Sequence, residues 1–270
     1  VNAFKLKLLA ALFMTVDHFG IVLNMLYRYK IAGVEFDHYM TDAFWQMRVI
    51  GRMAFPIFCF LVAEGCTHTR DIKKYIGRLA VFAIISQIPH RMFQIAKPGF
   101  HIAAGDLFKY TSGNVLITLM FGAIAAFFYA KLFETGKNIF LCKVLPIVGI
   151  AVSFIAVELL RGEYGLYGVV TILLVYALRS KDDSDRDVKI WGSKYAQILF
   201  CGITSVIYYL FYQRISLYAI GAILSVLPLL LYNQKPGHRR YRKWMFYIYY
   251  PAHMVILSVL IYFIVFLVKA

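Results

Sequence analysis

Residues 6–27 read LKLLAALFMTVDHFGIVLNMLY, an apolar run with Asp17 and His18 set together near its middle. At 1.5 Å per residue this run makes a helix of about 33 Å, and a bilayer's hydrocarbon core is about 30 Å thick. Its length therefore fits a membrane crossing, and the question becomes why two ionisable groups sit inside it. The rest of the chain repeats the apolar pattern. Of 270 residues, 61% are hydrophobic, 17% aromatic and only 16% charged, more apolar side chain than a soluble domain of this length can bury. The composition predicts an all-α, polytopic transmembrane helix bundle forming one domain over residues 1–270.

About nine spans are expected, near 6–27, 44–65, 76–95, 114–133, 139–160, 164–178, 194–212, 215–232 and 245–268. Lys5 and Lys7 precede a run too long for a signal peptide, and no small-residue cleavage site follows, so the first span reads as a retained anchor. The net charge of +15 is not gathered into a nucleic-acid-binding face; Lys and Arg cluster in the short connections between apolar runs. With the N-terminus in the cytoplasm, roughly twice as many of them fall on the inner side as on the outer. This bias predicts a cytoplasmic N-terminus and an outer C-terminus. Cys59, Cys66, Cys142 and Cys201 are scattered and suggest neither a disulfide nor a metal site.

Ionisable groups at membrane depth are costly and normally face a partner or a water-filled space. His18 lies about 18 Å from the inner end of the first span, and Arg52 about 12 Å from the outer end of the second. In a core of about 30 Å these depths coincide. Neighbouring helical residues point about 100° apart, so Asp17 and His18 face different ways. The favoured pairing is Asp17 with Arg52, leaving His18 toward a cavity; the reverse assignment stays open, as does a purely structural Asp–Arg bridge. Toward the outer side, Asn114, Glu158, Glu163, Tyr164, Gln87 and His90 form a candidate vestibule, although each taken alone also suits a helix cap or an interface. Pro56 and Pro89, within or at the end of helical runs, predict local kinks with freed carbonyls. Glu64 and His68, four apart, suggest a surface pair. His253 falls about 12 Å inside the last span and is either an interior histidine or part of a route across. The loop KPGHRRYRKW at 235–244 carries Arg239, Arg240, Arg242 and Lys243 beside Tyr241 and Trp244, which suits a lipid-headgroup anchor or a phosphate site. No phosphate-binding glycine loop and no serine elbow occurs.

Five stretches carry a resemblance: LKLLAALFMTVDHFG, then RVIGRMAFPIFCFLVAEGCTHTRDIKKYIGRLAVFAIISQIP, and later SGNVLITL, GEYGLYGVVTILL and KWMFYIYYPAHMVIL. In this order and over almost the whole chain, they resemble the TraX family of integral membrane proteins. That family is named for a conjugation protein that N-acetylates pilin, and it is similar to transmembrane acyltransferases acting on sugars. The resemblance implies acetyl-CoA as donor, docked at Arg239, Arg240, Arg242 and Lys243. It implies catalysis at His18 and Arg52 with Asp17 and Asn114 in support, and an acceptor peptide, sugar or lipid near Glu158, Glu163, Tyr164 and His253. The expected function is thus acetyl transfer across the membrane. The alternatives are a proton-coupled transporter and a non-enzymatic envelope or pilus assembly partner. No metal and no nucleic acid is expected, and a homo-oligomer is left open.

Overall fold

A computed structural model describes residues 1–28, 38–96, 112–133, 138–179, 194–214, 216–235 and 242–269, and among them every regular element is helical. The order is α1 (Ala3–Arg28), α2 (His38–Gly51), α3 (Ala54–His68), α4 (Ile72–Ile85), α5 (Gln87–Ala96) and α6 (Val115–Lys131). A π-turn at Phe140–Val144 leads into α7 (Leu145–Leu159), followed by α8 (Gly165–Ala177) and α9 (Lys194–Ile207), which continues through a second π-turn at Tyr208–Tyr212. Then come α10 (Ser216–Leu224), α11 (Val226–Leu230) and α12 (Arg242–Lys269).

Five helical stretches are long and apolar enough to cross a membrane: Ala3–Tyr27, Asp42–His68, Phe140–Leu159, Lys194–Tyr212 and Trp244–Ile264. The remaining apolar helices, Val115–Lys131, Gly165–Ala177 and Leu217–Leu230, are shorter. Of the expected spans, 44–65, 76–95 and 215–232 are not single continuous helices but pairs, α2 with α3, α4 with α5 and α10 with α11.

Proline sets these breaks. Pro56, Pro89 and Pro228 each occupy the third position of a restarted helix, in α3, α5 and α11. A proline lacks the N–H that would reach back four residues, and its ring crowds that carbonyl. Those carbonyls belong to Arg52, Ile85 and Leu224, where the preceding helices stop or turn. In the first helical turn the missing donor costs nothing, so each helix resumes at once. Pro251 is the exception, carried inside α12.

α3 lies at the centre. It is buried from Ala54 to Ile57 and from Cys59 to Glu64, and packs on α1, α6, α8 and α9. By contrast α7 buries only Pro146, Gly149, Ser153 and Val157, and turns Val148, Val152, Ile155 and Leu159 outward. A helix that is apolar on both its packed and its outer face is one that lipid covers.

Candidate functional site

The break after α2 puts Arg52 on a turn, with its N–H bonded at 3.2 Å to both Arg48 O and Val49 O. Its guanidinium reaches Asp17 of α1: Nη2 donates to Oδ1 at 2.6 Å and to Oδ2 at 2.7 Å. Arg48, one turn earlier, donates Nη1 to Asp17 Oδ2 at 2.6 Å. Arg52 also donates Nη1 to Tyr164 Oη at 3.2 Å and Nε to Arg48 O at 3.3 Å. Asp17 and Arg52 are both buried, at 7% and 9% exposure. The ring of Tyr218 from α10 lies 5.0 Å from the Arg52 guanidinium and 5.8 Å from that of Arg48. One carboxylate thus serves two cations, in charge-assisted bonds backed by an aromatic face.

Two glycines make the approach possible. A Cβ on Gly51 would fall 2.6 Å from Asp17 Oδ1 and 2.7 Å from Asp17 Cα, and one on Gly221 would overlap the Val49 carbonyl. Without these gaps α1 and α10 could not close on the α2–α3 junction.

His18, the next residue on α1, faces α12. Its Nδ1 lies 3.0 Å from His253 Nε2, while His253 Nδ1 lies 3.0 Å from the Tyr249 carbonyl. A carbonyl only accepts, so His253 carries its proton on Nδ1 and accepts at Nε2; His18 then donates from Nδ1. Tyr249 stacks on His253 with centroids 5.2 Å apart, and its hydroxyl meets Thr15 Oγ1 and Ala11 O of α1. The tautomer of His18 is in this way fixed by the α12 backbone.

A small cavity of about 60 Å³ opens beside these groups. Asp17, His18, Arg48, Arg52 and Glu163 line it together with His90 and Gln94, and Ile21, Phe93 and Met254 supply its apolar part. Of the residues singled out in the sequence, Asp17, His18, Arg52, His90 and Glu163 therefore meet in one space. Tyr164 joins them through Arg52, stacked on Phe55 at 3.8 Å, and His253 stands behind His18.

The others do not gather there. Asn114 caps α6: its side chain accepts from Leu116 N–H at 3.0 Å and donates to Ala83 O at 2.7 Å and Gln87 Oε1 at 2.8 Å. Its amide is engaged at the helix end and with α4 and α5, and it does not line the cavity. Glu158 is exposed and accepts from Leu166 N–H at 2.8 Å, pinning the turn from α7 to α8. Arg239 and Arg240 lie outside the described residues, and of Arg242 and Lys243 only the helical backbone is described. Arg48 was missed because it reads as an outer-segment charge; the signal that finds it is its four-residue spacing from Arg52, which places both on one helix face.

The family model of the TraX protein matches residues 3–261. The chain belongs to the TraX family. It is also 27% identical over 265 residues to a Dichelobacter nodosus protein described as "Probable fimbrial assembly protein FimC, serogroup H1", covering 95% of this chain and 94% of that one. No solved structure matches the chain. These findings correct the function expected from the sequence. An end-to-end relative named for fimbrial assembly favours the assembly alternative over acetyl transfer from acetyl-CoA. The correction has a physical side. A buried Asp–Arg set and a histidine at membrane depth serve an assembly protein's architecture as well as they serve a catalyst, so their presence never distinguished the two.

Proposed function

We propose that this TraX-family chain is a membrane-embedded assembly protein of a bacterial fimbria. The observation that carries the reading is the end-to-end likeness to the D. nodosus protein, over 95% of this chain. In this reading the chain is one bundle of about nine crossings in the cytoplasmic membrane, with its N-terminus inside and its C-terminus outside, as the Lys and Arg bias favours. Its partner is a fimbrial subunit polypeptide. The ion-paired junction of α1 with α2 and α3 gives that partner a fixed shape to meet within the bilayer, because separating any of its charges in lipid is costly.

The test is genetic. Removing the gene from a fimbriated host lowers the number of surface fimbriae counted by electron microscopy while subunit remains in the membrane fraction. Restoring the chain recovers them, and restoring Asp17→Ala does not. A deletion strain with the normal number of fimbriae refutes the proposal.

A further inference from the structure

Size and lining limit what the cavity beside the ion-paired junction can hold. Seven of its ten lining side chains are polar, and Ile21, Phe93 and Met254 supply the rest. Pockets for small organic molecules run to about 300–1,000 Å³, so a space of about 60 Å³ is closed to them.

Charge narrows the choice further. Asp17 and Glu163 bring two negative charges to the lining, and Arg48 and Arg52 bring two positive ones. These cancel, and a free ion would add an uncompensated charge at a level in the bundle where charge is costly. A dry void is no better suited, since cavities that stay empty are lined by side chains such as Leu, Ile and Phe. Here the lining groups keep bonding capacity. Arg48 gives one nitrogen, Nη1, to Asp17, and a guanidinium carries further N–H donors. Among the described residues the Glu163 carboxylate makes no hydrogen bond and no ion pair; its backbone carbonyl alone accepts, from Thr118.

We infer that the cavity holds a small cluster of ordered water molecules, which take up the remaining donors of Arg48 and solvate the carboxylate of Glu163. At about 30 Å³ per molecule in the liquid, the volume accommodates a pair, and the lining offers each the several polar partners that a buried water needs. Water-mediated bonds are nearly as favourable as direct ones. They tie α5, through His90 and Gln94, and the α7–α8 turn, through Glu163, to the junction of α1 with α2 and α3. This water is part of the fold, and its presence is independent of the assembly role.

Met254 reports on it. That side chain is 1% exposed and lines the cavity, whereas Met25, 4% exposed, does not line it. The full chain, purified in detergent, is given a short X-ray pulse, which makes hydroxyl radicals from water, bound water included. Methionine sulfoxide is then located by mass spectrometry, with and without a bulky radical scavenger in the solvent. Met254 is oxidised several times faster than Met25, and the scavenger leaves that rate in place. A Met254 as protected as Met25 overturns the inference. So does a Met254 signal that the scavenger removes, because that signal comes from bulk solvent. Ile21→Phe, which pushes a ring toward the cavity, lowers Met254 oxidation while circular dichroism shows an unchanged fold. Undiminished oxidation in the folded variant overturns the placing of water in this cavity, and if the variant does not fold, the comparison of Met254 with Met25 decides alone.

Discussion

Two ion-paired clusters lie toward the two ends of the Asp42–His68 stretch, and they differ in net charge and in setting. At one end Arg52 grips Asp17, shared with Arg48, beside an open polar cavity. At the other, Glu64 at 6% exposure accepts from Arg179 Nη1 at 2.6 Å and from Tyr232 Oη at 3.2 Å. His68 completes that set, with Nδ1 3.0 Å from Glu64 O and Nε2 accepting from Arg179 at 3.3 Å. In the Glu64 cluster the carboxylate has a guanidinium on one oxygen and a tyrosine on the other. In the Asp17 cluster a single carboxylate serves two cations, and further polar groups line the cavity beside it. The first arrangement is what holding helices together requires. The second borders a polar cavity, which is why it is the candidate site.

The largest expected effect tests that contrast. Asp17→Ala strands two guanidiniums in a buried setting and lowers stability by about 3–5 kcal/mol, read as thermal unfolding in detergent. Glu64→Ala strands one guanidinium, Arg179, whose side chain is 26% exposed and can take up water, and the Tyr232 hydroxyl, so about 2 kcal/mol is expected. If the two variants lose equal stability, the distinction between a doubly loaded and a singly loaded carboxylate collapses.

Gly221→Ala sharpens the same comparison from the packing side. Its methyl would overlap the Val49 carbonyl and press on Arg52, whose Cβ would be 3.2 Å away, so about 1–2 kcal/mol is lost through overpacking. Gly77, where a Cβ meets nothing within 4 Å, is the control, and Gly77→Ala leaves unfolding unchanged or slightly raised. A smaller change, about 1 kcal/mol, follows from His253→Phe, which keeps a ring but removes the hydrogen bonds to His18 and Tyr249. Nitrogen NMR of labelled histidine should then show His18 as a mixture of tautomers in place of the Nδ1–H form alone.

The smallest effect lies outside both clusters. Asp71 caps α4, accepting from Lys74 N–H at 3.0 Å. That bond, with the nearby Lys74 ammonium, holds its carboxyl below the ordinary value of 3.8. A depressed folded value means that the cap stabilises above the ordinary value and that its contribution disappears as pH falls through the lowered one. Asp71→Ala therefore frays α4 slightly at neutral pH and has no further effect in strong acid, measured by hydrogen exchange at Lys74.

Much of the architecture was legible in the chain. Apolar length gave the helices, and Pro56 and Pro89 announced breaks that fall where backbone chemistry demands. Depth counted along two helices brought His18, and with it its neighbour Asp17, to the level of Arg52. Asn114 and Glu158 show where that reasoning loses its hold. Each is a polar residue at the end of an apolar run, and the sequence cannot distinguish one that faces a cavity from one used up by its own helix end. Glu64 shows it again. It reads as half of a surface pair with His68, but its strongest partner, Arg179, lies 115 residues further along the chain.

The sequence by itself determined that this chain folds as helices in a membrane and that it carries charges there which must find partners, because lipid gives an unpaired charge or an open peptide group nothing to bond. Tertiary structure alone decided which partners. It gave Asp17 two arginines and Glu64 one, set His18 against His253, and brought Arg48 and Glu163 to the lining of one cavity. Those choices depend on which helix faces meet, and meeting is a property of three-dimensional packing that no spacing along a single helix contains.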